Sequence, residues 1–202
     1  AIVGFSDLLK NIDAFSKEDV QQFVDTININ CSLLLALVND VLDLSRIEAG
    51  TMEFKFTDYD LNGIMREVYE SQRLSMPEEV ELRLQMPEDT SLIMKTDVVR
   101  LKQVINNLIN NAKKFTTQGY ISIGYEKKTI GFVELFVEDT GKGMSQEALE
   151  HIFERFYKVD SFTQGAGLGL SICQTFVDRM SGTISVTSEV GKGTRFVVKL
   201  PI

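Results

Sequence analysis

Residues 137–144 read VEDTGKGM, and their placement decides the fold. The run that leads into them, FVELFV (132–137), is apolar apart from Glu134 and predicts a buried strand. That strand delivers Asp139 onto a turn made by Gly141 and Gly143. Two glycines within three residues permit backbone conformations and close approaches that a β-carbon blocks, so a flat ligand can lie against the main chain with the carboxylate as an acceptor on the pocket floor. Taken alone, the pattern fits a plain tight turn closing a strand equally well.

Outward from this stretch, composition narrows the class. The chain has 202 residues, enough for a packed core and for one large domain or a small one plus a larger one. Its net charge of −8 works against a phosphate-backbone footprint, which Lys and Arg patches would supply, so nucleic acid and anionic membranes are disfavoured partners. No continuous apolar run is long enough to span a bilayer, and AIVGFSDLLKN at the start is unlike a signal peptide. Cys31 and Cys173 sit in apolar helical patterns without a Cys or His partner at metal-ligand spacing, which reads as reduced core thiols in a cytosolic protein.

Towards the N-terminus, residues 1–10 carry the pattern of the last turns of an amphipathic helix, followed by the short connection NIDAF. Ser16 with Asp19 three residues on predicts a capped start for a long helix running to about Ala49, with Gly50 as its stop. Val20, Val24, Ile27, Cys31, Leu34, Val38 and Val41 alternate in steps of four and three, a coiled-coil seam that Phe23, Leu37 and Leu44 widen. A two-helix hairpin cannot bury so wide a stripe by itself, and the economical solution is a four-helix bundle formed by two copies. The alternative is that the hairpin packs on the domain that follows.

From Thr51 the periodicity changes. MEFKFTDYDL (52–61) predicts a strand, 61–76 a helix, 80–85 a strand exposed on one side, and SLIMKT (91–96) a short strand before a helix at 97–114. Strands at 121–125 and 132–138, helices at 146–153 and 168–180, and two closing strands, ISV and RFVVKL, separated by the turn VGKGT, complete the chain. Strands and helices mingle without strict alternation. The expected fold is therefore α+β: a helical hairpin over residues 1–50, then an α/β two-layer sandwich over 51–202 with a mixed sheet covered by helices on one face.

On the helix at 97–114, Val98, Leu101, Ile105, Leu108, Ala112 and Phe115 form the sheet-facing stripe. Asn107, Asn111 and Lys114 form a second stripe roughly opposite, which suits either a solvated face or a nucleotide site, where amide oxygens ligate magnesium and an ammonium meets phosphates. HIFERFYKVD (151–160) places Ile152, Phe153 and Phe156 at latch-like spacing, with Arg155, Tyr157 and Lys158 at its polar end. SFTQGAGLGLSI (161–172) has no hydrophobic period before Leu168, and Gly165, Gly167 and Gly169 lie two apart, the pattern of a loop feeding an anion-favouring helix N-terminus.

NNLINNAKKFT, VEDTGKGM, IFERFYKVD, GAGLGL and GKGTRF, in that order, resemble the nucleotide-binding boxes of sensor histidine kinases, members of the GHKL superfamily shared with gyrase, Hsp90 and MutL. LALVNDVLDLSRIEAG and the residues before it resemble the dimerisation and histidine-phosphotransfer hairpin of that family. The resemblance implies a Bergerat-type sandwich that binds ATP and Mg2+. It implies that Asp139 accepts the adenine amine, Asn111 ligates magnesium, Lys114 lies by the phosphates and Thr194 lines the adenine side. The loop from Lys158 to Gly167 becomes a lid. The implied partners are a second copy, through residues 1–50, and a response regulator receiver domain. The implied location is cytoplasmic, as a soluble protein or as the cytoplasmic portion of a membrane-bound sensor.

In the family the phosphoacceptor His lies on the first hairpin helix, ahead of the segment that AIVGFSDLL resembles. The sole histidine here is His151, on the latch, and by the family pattern it is not the acceptor, so autophosphorylation is not expected. Related hydrolases carry a Glu base one helical turn before the magnesium-binding Asn; Asn107 stands there and cannot take a proton near neutral pH, so hydrolysis is expected to be slow. A GHKL-type hydrolase is thereby disfavoured. A non-catalytic dimerisation and docking module is disfavoured by the intact Asn, Asp and Gly positions, and a serine kinase of an anti-sigma partner by the hairpin.

Overall fold

In the computed structural model, which describes residues 1–87, 91–127, 130–159 and 165–202, the chain falls into two units. One is built on Ala1–Thr51, and the other holds all the strands.

In the first unit, α1 (Ile2–Leu8) runs into a 3-10 helix (Leu9–Ala14) where a plain connection was expected, and α2 (Lys17–Glu48) follows. The cap on α2 is reciprocal: Asp19 N–H donates to Ser16 Oγ at 3.1 Å while Ser16 N–H donates to Asp19 Oδ2 at 3.2 Å. Two otherwise orphaned donors are satisfied at once, which fixes where the helix starts. Its end is also set locally. Gly50 adopts φ +64°, and Thr51 N–H closes back onto Arg46 O at 3.0 Å, an arrangement that a β-carbon at residue 50 would oppose. Phe5 and Phe15 pack on Phe23 with ring centroids 5.4 and 5.1 Å away, holding α1 and the turn on α2.

Beyond those rings α2 buries little. Leu34, Leu35, Val38 and Val41 are each about half exposed or more, so the seam read from the sequence lies on an open face. Among the described residues α2 is the one helix whose length and composition would also suit a bilayer, a property that helices of water-soluble bundles share. Its longest unbroken apolar stretch, residues 33–38, is bounded by Ser32 and Asn39, so no single run in it reaches the length of a span.

In the second unit, β1 (Thr57–Asp60), α3 (Leu61–Arg73), β2 (Val80–Gln85), β3 (Ile93–Thr96), α4 (Val98–Phe115), β4 (Gly119–Glu126), β5 (Phe132–Asp139), α5 (Gln146–His151), α6 (Gly169–Arg179), β6 (Thr183–Glu189) and β7 (Gly193–Pro201) follow in order. Five strands form a mixed sheet in the order β2-β4-β5-β7-β6, with β2 parallel to β4 and the other neighbours antiparallel. β1 and β3 make a separate antiparallel pair. Helices α3, α4 and α6 pack on the sheet, giving the expected two layers.

Several boundaries move inward from the sequence reading. The strand expected over 52–61 is paired only over Thr57–Asp60, because the residues before it follow another course: Lys55 N–H donates to Asp97 Oδ2 at 2.8 Å and Phe54 packs edge-on against Phe176. α3 stops at Arg73 and α5 at His151. The core lies between the helices and β4, β5 and β7, with Leu101, Ile105, Leu108, Ile121, Val133, Phe176 and Val198 all buried. The other oxygen of Asp97 accepts Arg100 N–H at 3.0 Å and so starts α4, the helix that carries the amides.

Candidate functional site

α4 is the spine of the site. Six of its apolar residues are buried against the sheet and α6, which leaves Asn107 and Asn111 on a flank, one turn apart. Asn111 Nδ2 donates to Asn107 Oδ1 at 3.2 Å, which holds the two amides side by side on that flank. The sequence reading put this stripe on the side away from the core. Instead, both amides are half-buried, and α6 covers Asn107 closely: a β-carbon on Gly169 would lie 2.5 Å from Asn107 Nδ2. Lys114, three residues beyond Asn111 in the last turn, is exposed.

The far end of α4 meets the acid. Asp139 closes β5, buried, and its Oδ1 accepts Gly141 N–H at 2.9 Å. Burial pushes its carboxyl above the ordinary range, and the N–H groups of Gly141 and Thr194 with the Thr116 side chain pull against that. Glycine is required in the following loop because the chain's own backbone approaches closely there. A β-carbon on Gly141 would meet Phe115 O at 2.3 Å, and one on Gly143, at φ +65°, would meet Glu189 O at 2.0 Å. The space at both positions is taken up by the protein's own backbone, and it presses the loop onto the end of α4 and the start of the β6–β7 turn.

β7 supplies the wall opposite the acid. Thr194 is the register partner of Asp139 and is equally buried. Its hydroxyl lies 2.9 Å from Ser188 Oγ, which donates to Gly193 O at 2.8 Å and accepts Met144 N–H at 2.9 Å. Ser188 has spent its only proton, so Thr194 must donate to it and keeps lone pairs alone for anything else.

The structure describes the two ends of the segment expected to form a lid. Phe156, at φ 63°, donates its N–H to Gly167 O at 2.9 Å, and Gly167, at φ +73°, has no room for a β-carbon beside Tyr157 O. Tyr157 is half-buried and Lys158 exposed; Gly165 has φ +121°. Residues 160–164 of the expected lid lie outside the described residues. Leu168 is buried as the N-cap of α6, and Gly169 opens that helix. His151 ends α5, with Nδ1 2.7 Å from Glu154 Oε1, and that carboxylate raises the imidazole pKa. Neither cysteine is in a disulfide; Cys173 is buried with its thiol donating to Val104 O at 3.9 Å, and Cys31 is partly buried.

The structure thus joins Asp139, Gly141 and Thr194 at one end of α4, and Asn107, Asn111 and Gly169 along its flank. Sequence reasoning missed Ser188 and Thr116. Ser188 carries no motif signal. Thr116 follows the amide helix in AKKFT and was legible as the residue ending that helix; it is almost fully buried, and its hydroxyl makes no hydrogen bond of ordinary geometry.

Residues 96–202 match the family described as histidine kinase-, DNA gyrase B- and HSP90-like ATPase, and residues 1–50 match the His Kinase A (phospho-acceptor) domain. The chain therefore belongs to the histidine kinase-, gyrase- and HSP90-like ATPases. Within that class it is a sensor histidine kinase catalytic core. It is 36% identical over its whole length to the autoinducer 2 sensor kinase/phosphatase LuxQ of Vibrio vulnificus, of which it spans about a quarter (24%). Among solved structures, full-length ShkA in complex with AMPPNP superposes with a TM-score of 0.77 at 32% identity, covering 91% of this chain and 39% of that one. ThkA in complex with the response regulator protein TrrA gives 0.75 at 26% identity, covering 99% and 56%.

Proposed function

We propose that this chain binds Mg-ATP and serves as the kinase core that transfers the γ-phosphoryl to a histidine, for relay to an aspartate of a response regulator. The observation that carries the reading is Asp139, a buried acid on a glycine turn, facing Thr194 and joined through the end of α4 to the Asn107–Asn111 pair.

The donor set fits the cofactor. Amide oxygens are hard ligands of the kind magnesium takes, so Asn111 would ligate it with Asn107 in support, and the metal would neutralise charge on the phosphates. Lys114, with Tyr157 and Lys158 from the lid entry, would meet the phosphates. Gly165, Gly167, Leu168 and Gly169 would form the lid's return into α6, whose first N–H groups favour an anion. Asp139 would accept the adenine amine, with Gly141 and Gly143 shaping the floor and Thr194 lining the side. Phosphoryl transfer depends mainly on positioning and charge stabilisation, so the absence of a carboxylate at Asn107 suits transfer better than hydrolysis.

In this reading residues 1–50 are the dimerisation and phosphotransfer hairpin and 51–202 the catalytic domain. The half-exposed leucines and valines of α2 support a homodimer, and the ThkA–TrrA likeness supports a receiver-domain partner. The kinase core would work in the cytoplasm. His151, paired with Glu154 at the end of α5, is not the phosphoacceptor.

Titration calorimetry with Mg-ATP tests the proposal. Saturable binding by the native chain and its loss in Asp139→Asn are expected; no binding, or binding indifferent to that change, removes the basis of the reading. Phosphoryl label found on His151 would overturn the acceptor assignment.

A further inference from the structure

Thr116 ends α4 with its side chain almost fully buried, yet its hydroxyl has no hydrogen-bond partner of ordinary geometry. A buried hydroxyl without a partner is costly, so a fold that keeps one there calls for an explanation. The surroundings limit what it can serve. A β-carbon built on Gly141 would lie 2.8 Å from Thr116 Oγ1, and the Gly141 N–H is the group that holds Asp139 Oδ1. Phe115 O, beside it, is occupied by Lys142 N–H at 3.1 Å.

We propose that Thr116 is a positioning residue of the nucleotide site, turning its hydroxyl proton onto the Asp139 carboxylate and holding that group oriented for a purine amine. The Gly141 N–H and the Thr116 hydroxyl then grip the acid from the loop and from the helix that carries Asn111, so the base end and the metal end of the site share one rigid element. This rests on the nucleotide-binding reading above.

The charges around Asp139 leave this role to a neutral donor. Glu138 on its own strand disfavours ionisation and is engaged by Arg195 of β7, which also reaches Glu126 of β4. Lys142 lies over the Phe115 ring, 4.6 Å from its centre, Lys113 is spent on Gln72 and Ser75, and Lys114 is exposed. Among the described side chains that act on Asp139, only the Thr116 hydroxyl favours its charged form.

Thr116→Val keeps the shape and removes the proton. The test measures the Kd for Mg-ADP from pH 4.5 to 8 in native chain, Thr116→Val and Thr116→Ser, with the Asp139 carboxyl titrated by NMR in the unliganded proteins. The valine variant is expected to bind about tenfold more weakly, the loss of one hydrogen bond to a charged group. Its acid limb and its Asp139 titration should both move to higher pH, while serine restores native behaviour. An unshifted Asp139 titration in the valine variant, or serine as weak as valine, overturns the proposal, because packing rather than the hydroxyl would then be at work. If the valine variant fails to fold, the serine variant decides alone: native affinity with a native Asp139 titration supports the role, and a loss of about tenfold refutes it. A native chain that does not bind Mg-ADP would sink the functional reading itself, whereas tight native binding that Thr116→Val leaves unchanged sinks only this inference.

Discussion

Asp139 and Thr194 stand directly across from each other on β5 and β7, both buried, and both present only acceptors to whatever lies between them. The carboxylate is an acceptor by charge, and the hydroxyl is one because its proton goes to Ser188. Two converging acceptors match an amine. A carbonyl in the same place would face lone pairs on both sides and leave two buried acceptors unpaired.

The first prediction concerns base selectivity. ITP differs from ATP in carrying an oxygen where adenine has its amine, so ITP and GTP should bind at least about tenfold more weakly than ATP. Competition titration against a fluorescent ATP analogue measures this directly, and equal affinities would contradict the acceptor pair.

The second concerns the acid's cost to the fold. Burial raises the Asp139 pKa above its unfolded value, so its contribution to stability is present at low pH and is lost as pH rises through the folded pKa. At neutral pH the ionised group therefore opposes folding, and Asp139→Asn should melt no lower than the native chain while failing to bind nucleotide. Nucleotide binding by the native chain should fall away on acidification at a higher pH than an ordinary aspartate would give. Calorimetric melting at pH 5 and pH 8 with the two proteins separates these effects.

Gly143→Ala offers a third test. The new β-carbon would lie 2.0 Å from Glu189 O at a positive φ, so backbone has to move, and we expect a loss of about 2–3 kcal/mol or more. Urea unfolding measures it. A variant as stable as native would mean that the loop does not press on the β6–β7 turn.

Much of this was legible before any coordinates. The hydrophobic period located α4, β5 and α6, and Ser16 with Asp19 located the start of α2, because those signals are local and the local preference agrees with the tertiary environment. MEFKF was misread because its strand-like alternation is overridden by Asp97, 42 residues from Lys55, which takes that residue's N–H. The glycine turn was read as a place a β-carbon would block, and Gly143 has the positive φ that this implies; that the atoms in the way are Phe115 O and Glu189 O depends on how distant elements pack. Thr116 was legible as the end of α4 but not as a neighbour of the acid, and Ser188 was not legible at all, since which side chains lie beside Asp139 and Thr194 depends on how the strands and α4 come together.

Metal dependence gives a fourth prediction. If Asn111 is the magnesium ligand, Asn111→Ala should remove the gain in ATP affinity that Mg2+ provides to the native chain and leave metal-free binding nearly unchanged. Parallel titrations with Mg2+ and with excess chelator read both quantities. An Mg2+ effect that survives in the variant would place the metal elsewhere.

The α2 face yields the fifth. Leu34 and Val38 lie on the open seam, so Leu34→Glu with Val38→Glu should convert a dimer to a monomer in sedimentation velocity without lowering helix content. A native chain that is monomeric at high concentration would contradict the homodimer.

The most direct test of the central claim is a crystal structure of the chain with a non-hydrolysable ATP analogue and Mg2+. We predict the adenine amine within hydrogen-bond reach of the Asp139 carboxylate, with Thr194 alongside it and the metal on Asn111. A base bound anywhere else would contradict the account.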